Sequence, residues 1–291
     1  MFSRQTRGGS IGGNSITMRN ICFLILSLCL YLICCTKENS LYPYNNTLSQ
    51  YYVPISYSTL EIQSKCPDNM VYISGDYCSN LEEICLNWLD KPYCIKHDPE
   101  TKKCLEYSDP MRCGEFKYPT KCIGKTKHLE FCIDKYEFPN SYGEKPKLQI
   151  TWYQAKDLCE SIGKRLCLDY EWTQACRGNN NLPYPYGYKR DATACRIDLP
   201  WQNPDTHSFE ELDKTVSSGV MLKCVSEYGV YDLVGNADEL CKSSGGTPYQ
   251  SVLKGGHPHG VRNRCTPTTT GHNETFSYYV TGTRCCKDLS K

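Results

Sequence analysis

GKRLCLDYEWTQACRG, residues 163–178, and GVYDLVGNADE, residues 229–239, are the two stretches whose reading decides the fold. Just upstream of the first, Thr151-Trp152-Tyr153-Gln154 has Thr and Gln at the spacing of a capping box, which satisfies two otherwise orphaned amides and so predicts a helix start. Ala155, Leu158, Cys159 and Ile162 then share one helical face, and Gly163 ends the helix. A second helix is expected from Asp169, as its cap, to Arg177, with Gly178 as the stop. In the second stretch Val230, Leu233 and Val234 read as the buried side of a strand and turn. After Gly178 the chain is rich in turn residues and shows no further helical period. The expected class is therefore α+β, loop-rich, with two helices early and irregular structure late.

Working outward, CPDNMVYISG (66–75) alternates like a half-buried strand that ends at Gly75. Evenly spaced cysteines from Cys78 to Cys122, with little apolar periodicity, predict a cysteine-rich insert over about 77–127 made of stapled loop. Residues 37–64 are polar, tyrosine-rich and carry two prolines, as suits a flexible linker. Before it, ICFLILSLCLYLICC (21–35) lies behind Arg4, Arg7 and Arg19. It is short for a membrane span, which needs about twenty apolar residues, and fits the core of a signal peptide. Met18 is an alternative start. Cys34 and Cys35 loosely match a lipoprotein cleavage box, so residues 1–36 are read as a leader that ends in secretion, a lipid anchor or a retained span.

The charge balance, 33 basic against 32 acidic residues, gives no electrostatic footprint for nucleic acid. Cysteine is the outlier: 21 in all, four in the leader and seventeen from Cys66 to Cys286. In an oxidising compartment dispersed thiols become cross-links that restrict the unfolded chain, so the chain reads as an extracytoplasmic, disulfide-rich protein. Seventeen is odd, so at least one is free, bridged to another chain or lipid-linked, with Cys241 and Cys286 as the candidates.

Nine landmarks in order give the chain its resemblance: CP…G at 66–75, FCIDKYEFPN at 131–140, Trp152-Tyr153-x-Ala155, GKRL, EW followed by RG, Tyr184-Pro185-Tyr186-Gly187, GVYDLVGNADE, Lys254-Gly255-Gly256 and Gly282-Thr283-Arg284-Cys285. Together they resemble the formylglycine-generating enzyme (sulfatase-modifying factor) family, whose domain is a variant of the C-type lectin fold. The resemblance covers residues 65–290 and implies that fold. It also implies a structural Ca²⁺ held by side-chain oxygens of Asp232 and Glu239 and backbone carbonyls of Gly235 and Ala237, an all-oxygen set suited to a hard cation. Asp238 and Leu240 stand where the family commonly has tryptophans. Two disulfides are implied, Cys159 with Cys285 and Cys176 with Cys265, each worth about 4 kcal/mol in the chain-entropy model.

The family's enzymes oxidise a substrate cysteine with O₂ at a Cu(I) ion held by two thiolates, the ligands a soft ion requires. The corresponding loop here, GGHPHGVRNRC (255–265), holds one cysteine, and an alternative register that sets Cys265 on a copper position puts Gly260 on the other. His257 and His259 form at most a weak candidate for copper or zinc, and the six scattered histidines lack a triad pattern. No catalytic residue is assigned and copper is not expected. The expectation is a non-catalytic binding or structural module with a protein or carbohydrate ligand. Its loops 178–228 and 241–281 would carry recognition, with Tyr184, Tyr186, Tyr188, Trp201, Tyr278 and Tyr279 as candidate lining or core residues. The alternative is a formylglycine-generating-type oxidase, which would need a second thiol such as Cys286 beside Cys265.

Overall fold

The computed structural model describes residues 65–92 and 94–289. The expected leader (1–36), the linker (37–64) and any lipid or membrane attachment placed there lie outside the described residues. Among the described residues no helix is long and apolar enough to cross a membrane.

Strand β1 (Met70–Cys78) runs straight through Gly75 rather than ending there. Glycine is needed at that point for room: a Cβ would sit 2.2 Å from Asn179 Oδ1 and 2.3 Å from the Tyr228 hydroxyl. Beyond β1 the chain forms a long ribbon of antiparallel pairs: β2 (Leu81–Glu82), β3 (Cys85–Trp88), β4 (Cys94–His97), β5 (Cys104–Tyr107), β6 (Cys113–Phe116) and β7 (Lys121–Cys122). Strand β2 pairs with β7, β3 with β6 and β4 with β5, and β8 (Thr126–Asp134) returns along the whole of β1. The insert is thus paired strand, not stapled loop. Its cysteines explain why it forms without a hydrophobic period, because isolated two-stranded pairs are marginal in water and need another source of stability. Cys66–Cys132, Cys78–Cys122, Cys85–Cys113 and Cys94–Cys104 are nested disulfides, all centred on Pro99 or Glu100. The ribbon leaves Leu86, Trp88, Ile95, Leu105 and Tyr107 exposed.

Helix α1 (Trp152–Ser161) starts with the capping box: Gln154 N–H donates to Thr151 Oγ1 at 3.2 Å and Thr151 N–H to Gln154 Oε1 at 2.8 Å. Ile162 is the C-cap and is exposed, so the buried face ends at Cys159. After β9 (Arg165–Leu166), helix α2 (Asp169–Arg177) is capped at Leu168, one residue before the expected Asp169. Glu171 supplies the reciprocal half of the cap by accepting from Leu168 N–H at 2.9 Å. A short helix α3 (Phe209–Leu212) follows, then β10 (Asp238–Lys242), β11 (Ser251–Lys254), β12 (Thr268–Thr269), β13 (Thr281–Gly282) and β14 (Cys285–Lys287).

Two four-stranded sheets organise these elements, in orders β1-β8-β14-β9 and β12-β11-β10-β13. Strand β10 is covered on both faces over Asp238–Cys241, as the burial of these four consecutive residues requires. Its odd residues face the larger core, where Cys241 and Val252 join Trp172, Ala175, Ile73, Phe131, Val230, Leu233 and Val234. Leu240 and its cross-strand partner Leu253 face α1, packing with Trp152, Ala155, Cys159 and Ile150. Disulfides tie the layers together: Cys159–Cys285, Cys167–Cys286, Cys176–Cys265 and Cys195–Cys224. Among the described cysteines only Cys241 is free, and it is buried.

Candidate functional site

The 229–239 stretch winds tightly, with Asp232 and Asn236 at φ +57° and +55° and Gly235 between them at +79°. Its acids meet a buried cluster. Glu239 accepts from Arg284 Nε and Nη2 at 2.7 Å each and from Trp172 Nε1 at 2.6 Å. Arg284, wholly buried, also donates to the carbonyls of Tyr231 at 2.8 Å and Asp134 at 3.3 Å. Glu137, from the FCIDKYEFPN stretch, accepts from Ala237 N–H at 3.0 Å, Asn236 Nδ2 at 2.8 Å and the Ser218 hydroxyl at 2.8 Å. Asp232 accepts from Gly219 N–H at 2.6 Å.

Burial pushes the Glu137 carboxyl well up, with the charges of Asp232 and Glu239 adding to it. Burial likewise raises Asp232 to about 6. At Arg284 burial opposes the charge, but Glu239 outweighs it and holds the proton above the guanidinium's ordinary value. Three carboxyl groups therefore share one guanidinium, and a bound proton or a cation balances the remainder. That surplus and the all-oxygen donors suit a hard cation in sign. Glu239 fits less well as a ligand, since three N–H groups already occupy its oxygens. Among the described residues no three His, Cys, Asp or Glu side chains converge as a metal site.

The loop after β11 begins with Gly255 and Gly256, at φ +87° and +74°. Two consecutive left-handed residues turn the chain sharply, and a Cβ on Gly255 would meet Leu233 O at 2.7 Å. Lys254 before them is buried, donates to Thr266 O at 3.1 Å and Thr268 Oγ1 at 3.0 Å, and is brought down to about 7 by burial and then by the Arg177 charge.

At the far end of the loop Cys265 is bonded to Cys176. Cys286, the second thiol that an oxidase would require, is bonded to Cys167, so that pairing is excluded. Burial pushes the remaining Cys241 thiol well up, away from the thiolate that binds Cu(I). The rings of His257 and His259 lie 6.3 Å apart, and His259 Nδ1 bonds to Pro200 O at 2.5 Å. Burial, then His259 and Arg262, lowers His257 to about 4, so its ring is neutral at physiological pH.

Beside this loop lies a cavity of about 360 Å³, formed with the 272–281 segment. Asp238, at the start of β10, accepts from Arg262 Nη2 at 2.9 Å and from Gly256 N–H at 3.3 Å. His257, His272, Phe276 and Tyr278 complete the polar and aromatic wall, and His272 stacks on Phe276 with centroids 3.7 Å apart. Tyr278 also borders a second cavity of about 510 Å³ with His207 and Phe209. Of the other aromatic candidates, Tyr184 is fully buried and donates to Cys113 O at 2.5 Å, Tyr279 is buried, and Trp201 is exposed. Sequence reading missed the Asp238–Arg262 pair, because Asp238 opens a strand that also carries Glu239 and Lys242 and so does not stand out as a lone buried acid.

Residues 114–289 match the sulfatase-modifying factor enzyme 1-like domain, and the chain belongs to that family. Its α+β, disulfide-stapled architecture is accordingly the formylglycine-generating-enzyme-like variant of the C-type lectin fold. The chain is 30% identical over 158 residues to a serine/threonine-protein kinase pkn1 of Chlamydia caviae, covering 54% of this chain and 23% of that protein. It is 33% identical over 103 residues to the inactive C-alpha-formylglycine-generating enzyme 2 of Bos taurus, covering 34% of this chain and 33% of that one. It therefore spans about a quarter to a third of the length of these curated relatives. Among solved structures it is similar to CarF, with TM-score 0.44, 13% identity, and coverage of 77% of this chain and 99% of that one.

Proposed function

We propose that the chain is an exported, non-catalytic member of the family: a disulfide-stapled binding module whose recognition surface is the cavity beside the 255–265 loop. The observation that carries this reading is thiol supply. Cu(I) needs two thiolates at that loop; Cys265 is tied to Cys176 and the free Cys241 is buried in β10. The similar bovine protein, an inactive C-alpha-formylglycine-generating enzyme, is consistent with a family member that lacks the reaction. The eight disulfides among the described residues suit an oxidising, extracytoplasmic setting, to which the N-terminal leader would deliver the chain, secreted or attached through a span or lipid. A protein or carbohydrate ligand fits a module of this kind, and the balanced charge disfavours nucleic acid.

The same reading includes a structural Ca²⁺ at the 229–239 winding, with Asp232 and the carbonyls of Gly235 and Ala237 as its oxygens; Glu239 joins them only by releasing one of the N–H groups of Arg284 or Trp172. The surplus of buried carboxyl groups over Arg284 supports it. The deciding experiment for function is a Cu(I) titration of the disulfide-intact chain, with peptide mapping of its disulfides. No stoichiometric uptake, together with a Cys176–Cys265 peptide, is the expected result. Uptake of one Cu(I) with O₂-dependent loss of a substrate-peptide thiol would establish the oxidase instead.

A further inference from the structure

We infer that the cavity beside the 255–265 loop is a receptor for a small organic carboxylate, gripped by Arg262 and His257 and covered by the rings of Phe276 and Tyr278. This deepens the binding-module reading and rests on it. Two cavity residues carry a buried nitrogen without a hydrogen-bond partner: Arg262 at Nη1 and His257 at Nδ1. Arg262 Nη1 can only donate, and leaving a buried charged donor unmade is costly, so an acceptor from outside the chain is called for; His257 Nδ1, on a neutral ring, adds a second donor in the tautomer that carries its proton there.

Asp238 makes the arrangement specific. It holds Arg262 by Nη2 and is itself steadied by Gly256 N–H, which fixes one edge of the guanidinium and leaves the other for a ligand. Arg262, His257 and His272 stand against the single carboxylate of Asp238, so the donor balance favours an anion. Arginine has no acceptor, and this disfavours a neutral sugar, whose hydroxyls ask for both kinds of partner. A phosphate dianion would bring two charges toward Asp238, whereas a carboxylate brings one charge and two oxygens, one for each unmade nitrogen. Leu253, Val280, Phe276 and Tyr278 supply an apolar wall for the rest of the molecule. The volume, about 360 Å³, is at the small end of ligand pockets and suits a single aromatic acid or one terminal residue of a peptide.

The test is calorimetric titration of the full, disulfide-intact chain with benzoate and N-acetylphenylalanine, against benzamide and N-acetylphenylalanine amide. Saturable binding of the acids, at least about tenfold tighter than the amides, is expected. Arg262→Gln should weaken it by about tenfold or more, and Arg262→Lys, which keeps the charge but loses the planar fork, by less. Phe276→Ser, which leaves the Asp238–Arg262 pair untouched, should also weaken binding and serves if the arginine variants misfold. A peptide ending in phenylalanine that binds better than the free acids assigns a peptide terminus; the reverse order assigns a free acid. Equal binding of acids and amides, indifference to Arg262→Gln in a folded protein, or no saturation up to about 10 mM would overturn the inference and leave water alone in the cavity. Saturable benzoate binding with stoichiometric Cu(I) uptake would overturn the non-catalytic reading instead; neither uptake nor benzoate binding would overturn only the carboxylate.

Discussion

Arg284→Met tests the buried charge cluster directly. Arg284 gives two N–H groups to Glu239 at 2.7 Å and others to backbone carbonyls, with no exposure to solvent. Methionine fills much of the same space but offers neither charge nor donors, and Glu137, Asp232 and Glu239 are left as buried acids without their guanidinium. Removing one side of a buried pair costs about 3–5 kcal/mol. For a domain of this size each kcal/mol moves the midpoint by about 2–4 °C, so a fall of roughly 6–20 °C is expected near neutral pH.

The pH dependence gives the prediction its sign. Glu137 and Asp232 already have raised pKa values in the folded protein, the latter about 6, because burial disfavours their charge. Losing Arg284 raises them further. A group raised on folding contributes stability below its unfolded pKa and loses it as pH climbs through the folded value. The penalty should therefore be smallest near about pH 4, where these acids are largely protonated, and should grow toward about pH 7.5. Urea unfolding followed by near-ultraviolet circular dichroism at both pH values reads it. A penalty below about 1 kcal/mol at the higher pH, or one that does not change with pH, would refute Arg284 as the counter-charge of the cluster.

Further predictions follow from the same structure. In protein stripped of divalent ions, Asp232→Asn should stabilise near pH 7 by up to about 2–3 kcal/mol, because it removes a carboxylate whose folded pKa is about 6, and the gain should vanish near pH 4. If Ca²⁺ is held at the winding, EDTA lowers the thermal midpoint and added CaCl₂ restores it; an unchanged midpoint removes the cation from the account. Cys176→Ser should cost about 4 kcal/mol in denaturant unfolding while conferring no O₂-dependent thiol oxidation; appearance of that activity would contradict the thiol argument. Gly75→Ala should cost about 1–3 kcal/mol, since the new methyl group displaces the Asn179 and Tyr228 side chains that bond to Gln174; a neutral result would show that they move freely.

The parts of the fold governed by local chemistry were readable. Thr151 and Gln154 announce α1 because their hydrogen bonds depend on spacing alone, and Val230, Leu233 and Val234 are buried as their apolar pattern implies. The ribbon carries no apolar period, so hydrophobic patterning is silent on it. The signal was nonetheless present: cysteines placed symmetrically about Pro99 and Glu100 pair in nested order only if two strands run antiparallel from a turn there. Leu168 caps α2 in place of Asp169 because Glu171 reaches back to its N–H, a partner three residues away that outcompetes local preference. The cavity's Asp238–Arg262 pair joins residues 24 apart through a loop whose path no local rule dictates.

Strand β14 occupies the interior of its sheet, between β8 and β9, and its adjacent cysteines are fastened to opposite sides, Cys285 to α1 and Cys286 to Cys167. A chain made from its N-terminus supplies this keystone after every other described strand of the domain. The ribbon can zip and oxidise early, because its partners are neighbours in sequence. The two cores, by contrast, must wait with an open slot until β14 arrives, so deleting its few residues would undo more of the domain than a much longer deletion at the ribbon's tip.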